Sequence, residues 1–139
     1  MTGTPGLTPT VEDVEKFARI QLPESAEEVQ FFAETEGIDV FVAMKFVIPS
    51  NDLEKFLIDS GYEGPLQRIK YLSEIPGYAL ELDNNIPGWP SDAKWEAAIK
   101  EDSMILFGAK VSEPGFNRGI LVDKTNSDTF VIYLVHNSL

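Results

Sequence analysis

Ile38, Val40, Val42, Met44, Phe46 and Ile48 occupy every second position of one stretch, alternating with Asp39, Phe41, Ala43, Lys45 and Val47. A helix would scatter those six residues around its axis. A strand puts them on one side, because successive side chains point to opposite faces. A period of 2 held over eleven residues therefore demands a strand with one face in a core. Pro49 closes it. Upstream, Glu28 to Glu34 reads as a second strand, and Glu36-Gly37 as a tight connection, so the two are expected to form an antiparallel hairpin. This ribbon needs something apolar to lie against, and the rest of the chain is read for what supplies it.

Helical signals flank the ribbon. Thr10 stands where an N-cap belongs, with Asp13 three residues on to complete a capping box. Val11, Val14, Phe17, Ala18 and Gln21 then follow one helical face, and Leu22-Pro23 ends the helix. After Pro49, Ser50 or Asn51 is expected to cap a second helix, with Glu54 at the box spacing from Asn51. Leu53, Phe56 and Leu57 form its apolar stripe, and Gly61 sits where a terminating glycine belongs. A third short helix spans Ser91 to Lys100, with Trp95, Ala98 and Ile99 inward. Strands return at Ser103 to Val111, Phe116 to Asp123 and Thr129 to His136, the last two joined by the polar turn 124–128. The final strand is apolar on both faces, which places it centrally in a sheet covered on at least one side.

Length and charge bound the function. With 139 residues the chain makes one domain and can bury a core without covalent staples. It has no cysteine, so neither a disulfide framework nor a thiolate site is available. Its formal net charge is −12, from 23 acidic and 11 basic residues. That field repels nucleic acid and anionic lipid; it favours solubility or a basic partner. No apolar run reaches the roughly 18 residues that span a bilayer. Residues 1–9, MTGTPGLTP, read as a flexible lead-in to a single domain over 10–139, and they resemble no signal peptide. Location stays open: cell envelope or secreted space if a leader has been removed, cytoplasm if Met1 is the native start.

Chemistry-bearing motifs are sparse. His136 is the sole histidine and lies near the end of a strand, where a rim position is expected. No serine-hydrolase elbow, zinc-protease, phosphate-loop or dinucleotide motif occurs. Asp83, Asn85 and Gly88 fall at positions 1, 3 and 6 of a calcium loop, but Lys94 stands where the bidentate Glu must be, so a polar turn is expected instead. The expectation is no catalytic residues, no metal and no cofactor. Between Glu12 and Glu36 eight acidic residues face two basic ones, which suits a solvated surface or a docking face for a cationic partner.

The segment from Tyr62 to Pro90 stands apart. It is rich in Gly and Pro, and Leu66 to Ser73 carries either a helical turn or a short strand. Long irregular segments in small domains are often functional. Tyr62, Tyr71, Tyr78, Trp89 and Trp95 gather in and just after it, and Arg68, Lys70 and Arg118 would be its polar or cationic members. Tyr62, Arg68, Tyr71, Tyr78, Trp89, Trp95 and Arg118 are thus the candidate ligand-binding residues.

The run Leu22-Pro23-Glu24-Ser25-Ala26, the strand Asp39 to Phe46, the helix Asp52 to Leu57 and the closing strands Ile120 to Asp123 and Val131 to Leu134 resemble small, uncharacterised actinobacterial lipoproteins. The likeness covers most of the chain, although no lipobox cysteine is present. It implies a cell-envelope location and a non-enzymatic role, and carries over no catalytic residue.

The resulting expectation is an α+β fold. An antiparallel sheet of about four to five strands carries two to three helices packed mainly on one face. Its function would be non-catalytic binding of an unknown protein or small ligand in the envelope or secreted space. The alternatives are an acidic immunity-type inhibitor of a basic toxin, or a hydrolase with a carboxylate/tyrosine site.

Overall fold

The computed structural model describes residues 10–36, 39–62, 65–71, 89–90, 92–113 and 116–138. In chain order the elements are α1 (Val11–Ala18), β1 (Glu27–Glu36), β2 (Asp39–Pro49), α2 (Leu53–Asp59), β3 (Gln67–Arg68), α3 (Asp92–Glu101), β4 (Leu106–Glu113), β5 (Phe116–Asp123) and β6 (Thr129–Ser138). The strands form one antiparallel sheet in the order β1-β2-β6-β5-β4-β3. The α+β class is as the sequence predicts. The sheet has six strands rather than four or five because Gln67 and Arg68, in the stretch that allowed either a turn or a strand, pair with Gly108 and Phe107. β6 is central, as its two apolar faces require. It lies between the β1-β2 hairpin and the β4-β5 hairpin, with Met44 opposite Leu134 and Leu134 opposite Ile120.

That register sorts the core. Val42, Met44, Phe46 and Ile48 share one face with Ile132, Leu134, Ile120 and Val122, all buried beneath Val14 and Ala18 of α1 and Leu53 and Phe56 of α2. Phe56 meets Phe46 edge-on, with ring centroids 5.4 Å apart. On the opposite face Tyr133, Leu121 and Leu106 pack against Trp95 of α3 and Ile69. Two helices thus cover one face and one covers the other. Burying the side chain of each large core residue stabilises the fold by about 1.5–3 kcal/mol. Gly108 matters at the β4 crossing: a Cβ there would lie 3.0 Å from Ile69 Cδ1 and 3.1 Å from the Ile120 carbonyl, so glycine lets Ile69 settle onto the sheet.

The capping box forms as expected. The Asp13 N–H donates to Thr10 Oγ1 at 3.1 Å, and the Thr10 N–H donates to Asp13 Oδ2 at 3.0 Å. Those bonds hold the exposed Asp13 carboxyl below its ordinary value. The second helix departs from expectation. Ser50–Asp52 form a 3₁₀ turn, and neither Asn51 nor Asp52 caps α2 with its side chain. Pro49 delivers the chain straight into the turn, and Asp52 instead accepts a hydrogen bond from the Ser25 hydroxyl, tying α2 to the entry of β1.

All three helices end in the same paired-bond turn. After α1 the Ile20 N–H donates to the Glu15 carbonyl at 3.1 Å; after α2 the Tyr62 N–H donates to Leu57 at 2.9 Å; after α3 the Ser103 N–H donates to Ala98 at 3.0 Å. The turn needs one left-handed residue. These are Arg19 (φ 58), Gly61 (φ 75) and Asp102 (φ 54). At Gly61 a Cβ would also stand 3.2 Å from Arg118 Nη1. Gly61→Ala is therefore expected to lower stability by about 1–2 kcal/mol, read as a shift of the urea midpoint without change in slope.

Candidate functional site

At one end of the sheet the apolar pattern on the helix-covered face gives way to two polar residues. Arg118 on β5 and His136 on β6 lie directly opposite each other and are only 5% and 4% exposed. Arg118 Nη2 donates to the Arg19 carbonyl at 3.2 Å and also to the Ser60 carbonyl. Both acceptors lie at helix C-termini, where the dipole is negative and backbone carbonyls lack helical partners. The guanidinium also stacks over Tyr62, 4.4 Å from the ring centroid. Ser60 Oγ accepts the Gln21 N–H at 3.2 Å, so the same junction fixes the chain leaving α1.

Burial pushes the Tyr62 hydroxyl up to about 12, with the Arg118 charge opposing. Among the described residues it makes no hydrogen bond of good geometry. Burial first, then the charges of Arg118 and Arg19, lower His136 to about 4. The imidazole is neutral at pH 7. The expected rim position is thus corrected: β6 continues past His136 to Ser138, and the helix ends close over it.

On the opposite face the aromatics pack on each other. Tyr133 receives the edges of Trp95 and Trp89, with centroids 5.1 and 5.5 Å away and planes at 81° and 80°. Lys45 Nζ lies 5.9 Å from the Tyr133 ring. Burial and the nearby Asp123 charge raise the Tyr133 hydroxyl to about 12. Trp95 is 3% exposed and Trp89 half-buried, so the face of this box is filled by its own members.

Beside the box, between the β3 segment and the C-terminal turn of α3, lies an open cleft of about 350 Å³. Ile69, Ile99 and Met104 supply its apolar surface; Arg68, Lys70 and Asp102 supply its charges. Arg68 Nη2 donates to Asp102 Oδ1 at 2.7 Å, and both side chains are solvent-accessible, which keeps the pair weak. The left-handed backbone at Asp102 turns this carboxylate back toward β3 at the end of α3.

The seven candidate residues therefore do not converge. Tyr62 and Arg118 meet on the helix-covered face. Trp89 and Trp95 meet on the other, around Tyr133. Arg68 lines the cleft, Tyr71 is 68% exposed just beyond it, and Tyr78 lies outside the described residues, as does the tested calcium loop at 83–88. Tyr133, Asp102 and Met104 are not among the candidate site residues, and Ile99 is expected only as an inward-facing residue of the third helix. The alternation of β6 separates Tyr133 from Leu134, so its face was readable; no local signal announces that the end of α3 faces β3. Among the described residues no three His, Asp or Glu side chains gather as a metal site, and no helix is long and apolar enough to cross a membrane.

Arg118→Met leaves helix-end carbonyls buried without a donor and is expected to lower stability by about 2–4 kcal/mol in urea titration. For His136 the folded protein holds the neutral form, while the unfolded chain takes a proton near 6.5. Its contribution is complete above that pH, declines as pH falls from about 6.5 to about 4, and is flat below. Unfolding free energies against pH for the native protein and His136→Gln should diverge across that interval by on the order of 2 kcal/mol. No protein-family model, curated protein or solved structure matches this chain.

Proposed function

We propose that this protein is a non-catalytic binding domain of the cell envelope or secreted space, and that it meets its ligand at the cleft between β3 and the end of α3. The observation that carries the reading is the composition of that cleft. In a chain of net charge −12, two cations border an apolar floor of Ile69, Ile99 and Met104. Such a surface suits a small molecule with an apolar body and one anionic end. Arg68 offers a planar donor fork for a carboxylate, and its exposed pairing with Asp102 is easily exchanged. A non-catalytic role agrees with the placement of His136, which is buried opposite Arg118. The envelope location is supported by the resemblance to lipoprotein domains, and fractionation of cells making the native full-length product tests it.

Decanoate is a suitable probe, followed by amide resonance shifts. It should perturb residues around Arg68, Ile99 and Met104. Arg68→Ala should weaken it about fivefold or more, whereas Asp102→Asn, which releases Arg68, should strengthen it by up to about fivefold. Decanoate binding elsewhere, or with equal affinity to both variants and the native protein, would show that this cleft is not the site.

A further inference from the structure

We infer that the regular half of β1, Gln30 to Glu36, is a docking edge for a basic, extended segment of another protein, which joins the sheet as a seventh strand. β1 ends the sheet on the side opposite β3, so the inference is independent of the cleft. Its partner on one side is β2, in unbroken register from Gln30 opposite Lys45 to Glu36 opposite Asp39. Among the described residues no backbone hydrogen bond joins this stretch to anything but β2. Alternate N–H and C=O groups along the other side thus have no backbone partner among the described residues, and they are the groups a new strand would pair with.

Three features select the occupant. The strand reads EEVQFFAETE, with four glutamates and no Lys or Arg. Phe31 and Phe32 are only half-buried, and Phe32 pairs with Phe41 at 6.1 Å, so apolar rings border the open backbone. A second copy of this chain is disfavoured, because β1-on-β1 pairing would bring four glutamates from each copy together along one edge with no cation between them. An incoming strand alternating cationic and apolar residues meets both features. The bulge at Glu28 (φ 53), between Glu27 and Gln30, breaks the ladder and sets the near limit of the docking stretch.

The test uses the full chain and a capped seven-residue peptide alternating lysine and valine. Amide hydrogen exchange should slow in Gln30–Glu36 on adding the peptide. N-methylating every second peptide residue should weaken binding about tenfold or more, as should the Glu34→Lys/Glu36→Lys double variant, with unchanged circular dichroism. A glutamate-valine peptide should not bind. The inference is overturned if millimolar lysine-valine peptide leaves exchange in β1 unchanged, which would make the glutamates a guard against pairing. It is equally overturned if binding ignores N-methylation, or if the chain alone protects β1 in a concentration-dependent way, which would make a second copy the occupant.

Discussion

A single guanidinium joins the layers of this domain. Arg118 belongs to the sheet, yet its hydrogen bonds go to carbonyls at the ends of the two helices that cover it. Removing water from a charged group is expensive unless each lost hydrogen bond is replaced. Here Nη2 finds replacements in backbone groups that helices leave unpaired by construction, the ring of Tyr62 stacks on the guanidinium, and the buried Nε has no hydrogen-bond partner among the described residues. One residue thereby ties the ends of both helices to β5. The neutrality of His136 follows, since an imidazolium opposite Arg118 would place two positive charges in a site closed to solvent.

The two faces of the sheet are built by different means. On the α1–α2 side, aliphatic and phenylalanine side chains fill the space, and polar groups gather at one end. On the α3 side, a tyrosine ringed by two tryptophans takes the place of a broad aliphatic layer. Large flat rings let one ten-residue helix close that face. At its rim the packing loosens into the cleft, where charge and apolar surface sit together on accessible side chains.

The sheet's two ends also differ. β3 is two residues long and offers little ladder to a visitor. β1 is ten residues long, carries four glutamates and is interrupted by a bulge between Glu27 and Gln30. The cleft and β1 lie at opposite edges of the sheet.

Local rules were sufficient wherever the physics is local. The period-2 run from Ile38 to Ile48, the Thr10–Asp13 box and the Gly61 terminus depend on residues within a few positions, and the α+β class follows from them. The apolar doubling of β6 likewise announced a central strand. Where a partner lies far along the chain, the sequence was silent. Asn51 had the spacing of a cap, but Ser25, 27 residues before Asp52, drew that junction into another arrangement. His136 looked peripheral because it is near the chain end, while strand order carried it into the interior. The aromatics of the irregular middle segment appeared to be one cluster; the sheet between them divides Tyr62 from Trp89 and Trp95. Spacing along a chain encodes pleat and turn, but which faces meet is decided when strands pair across a hundred residues, and tertiary structure alone makes that choice.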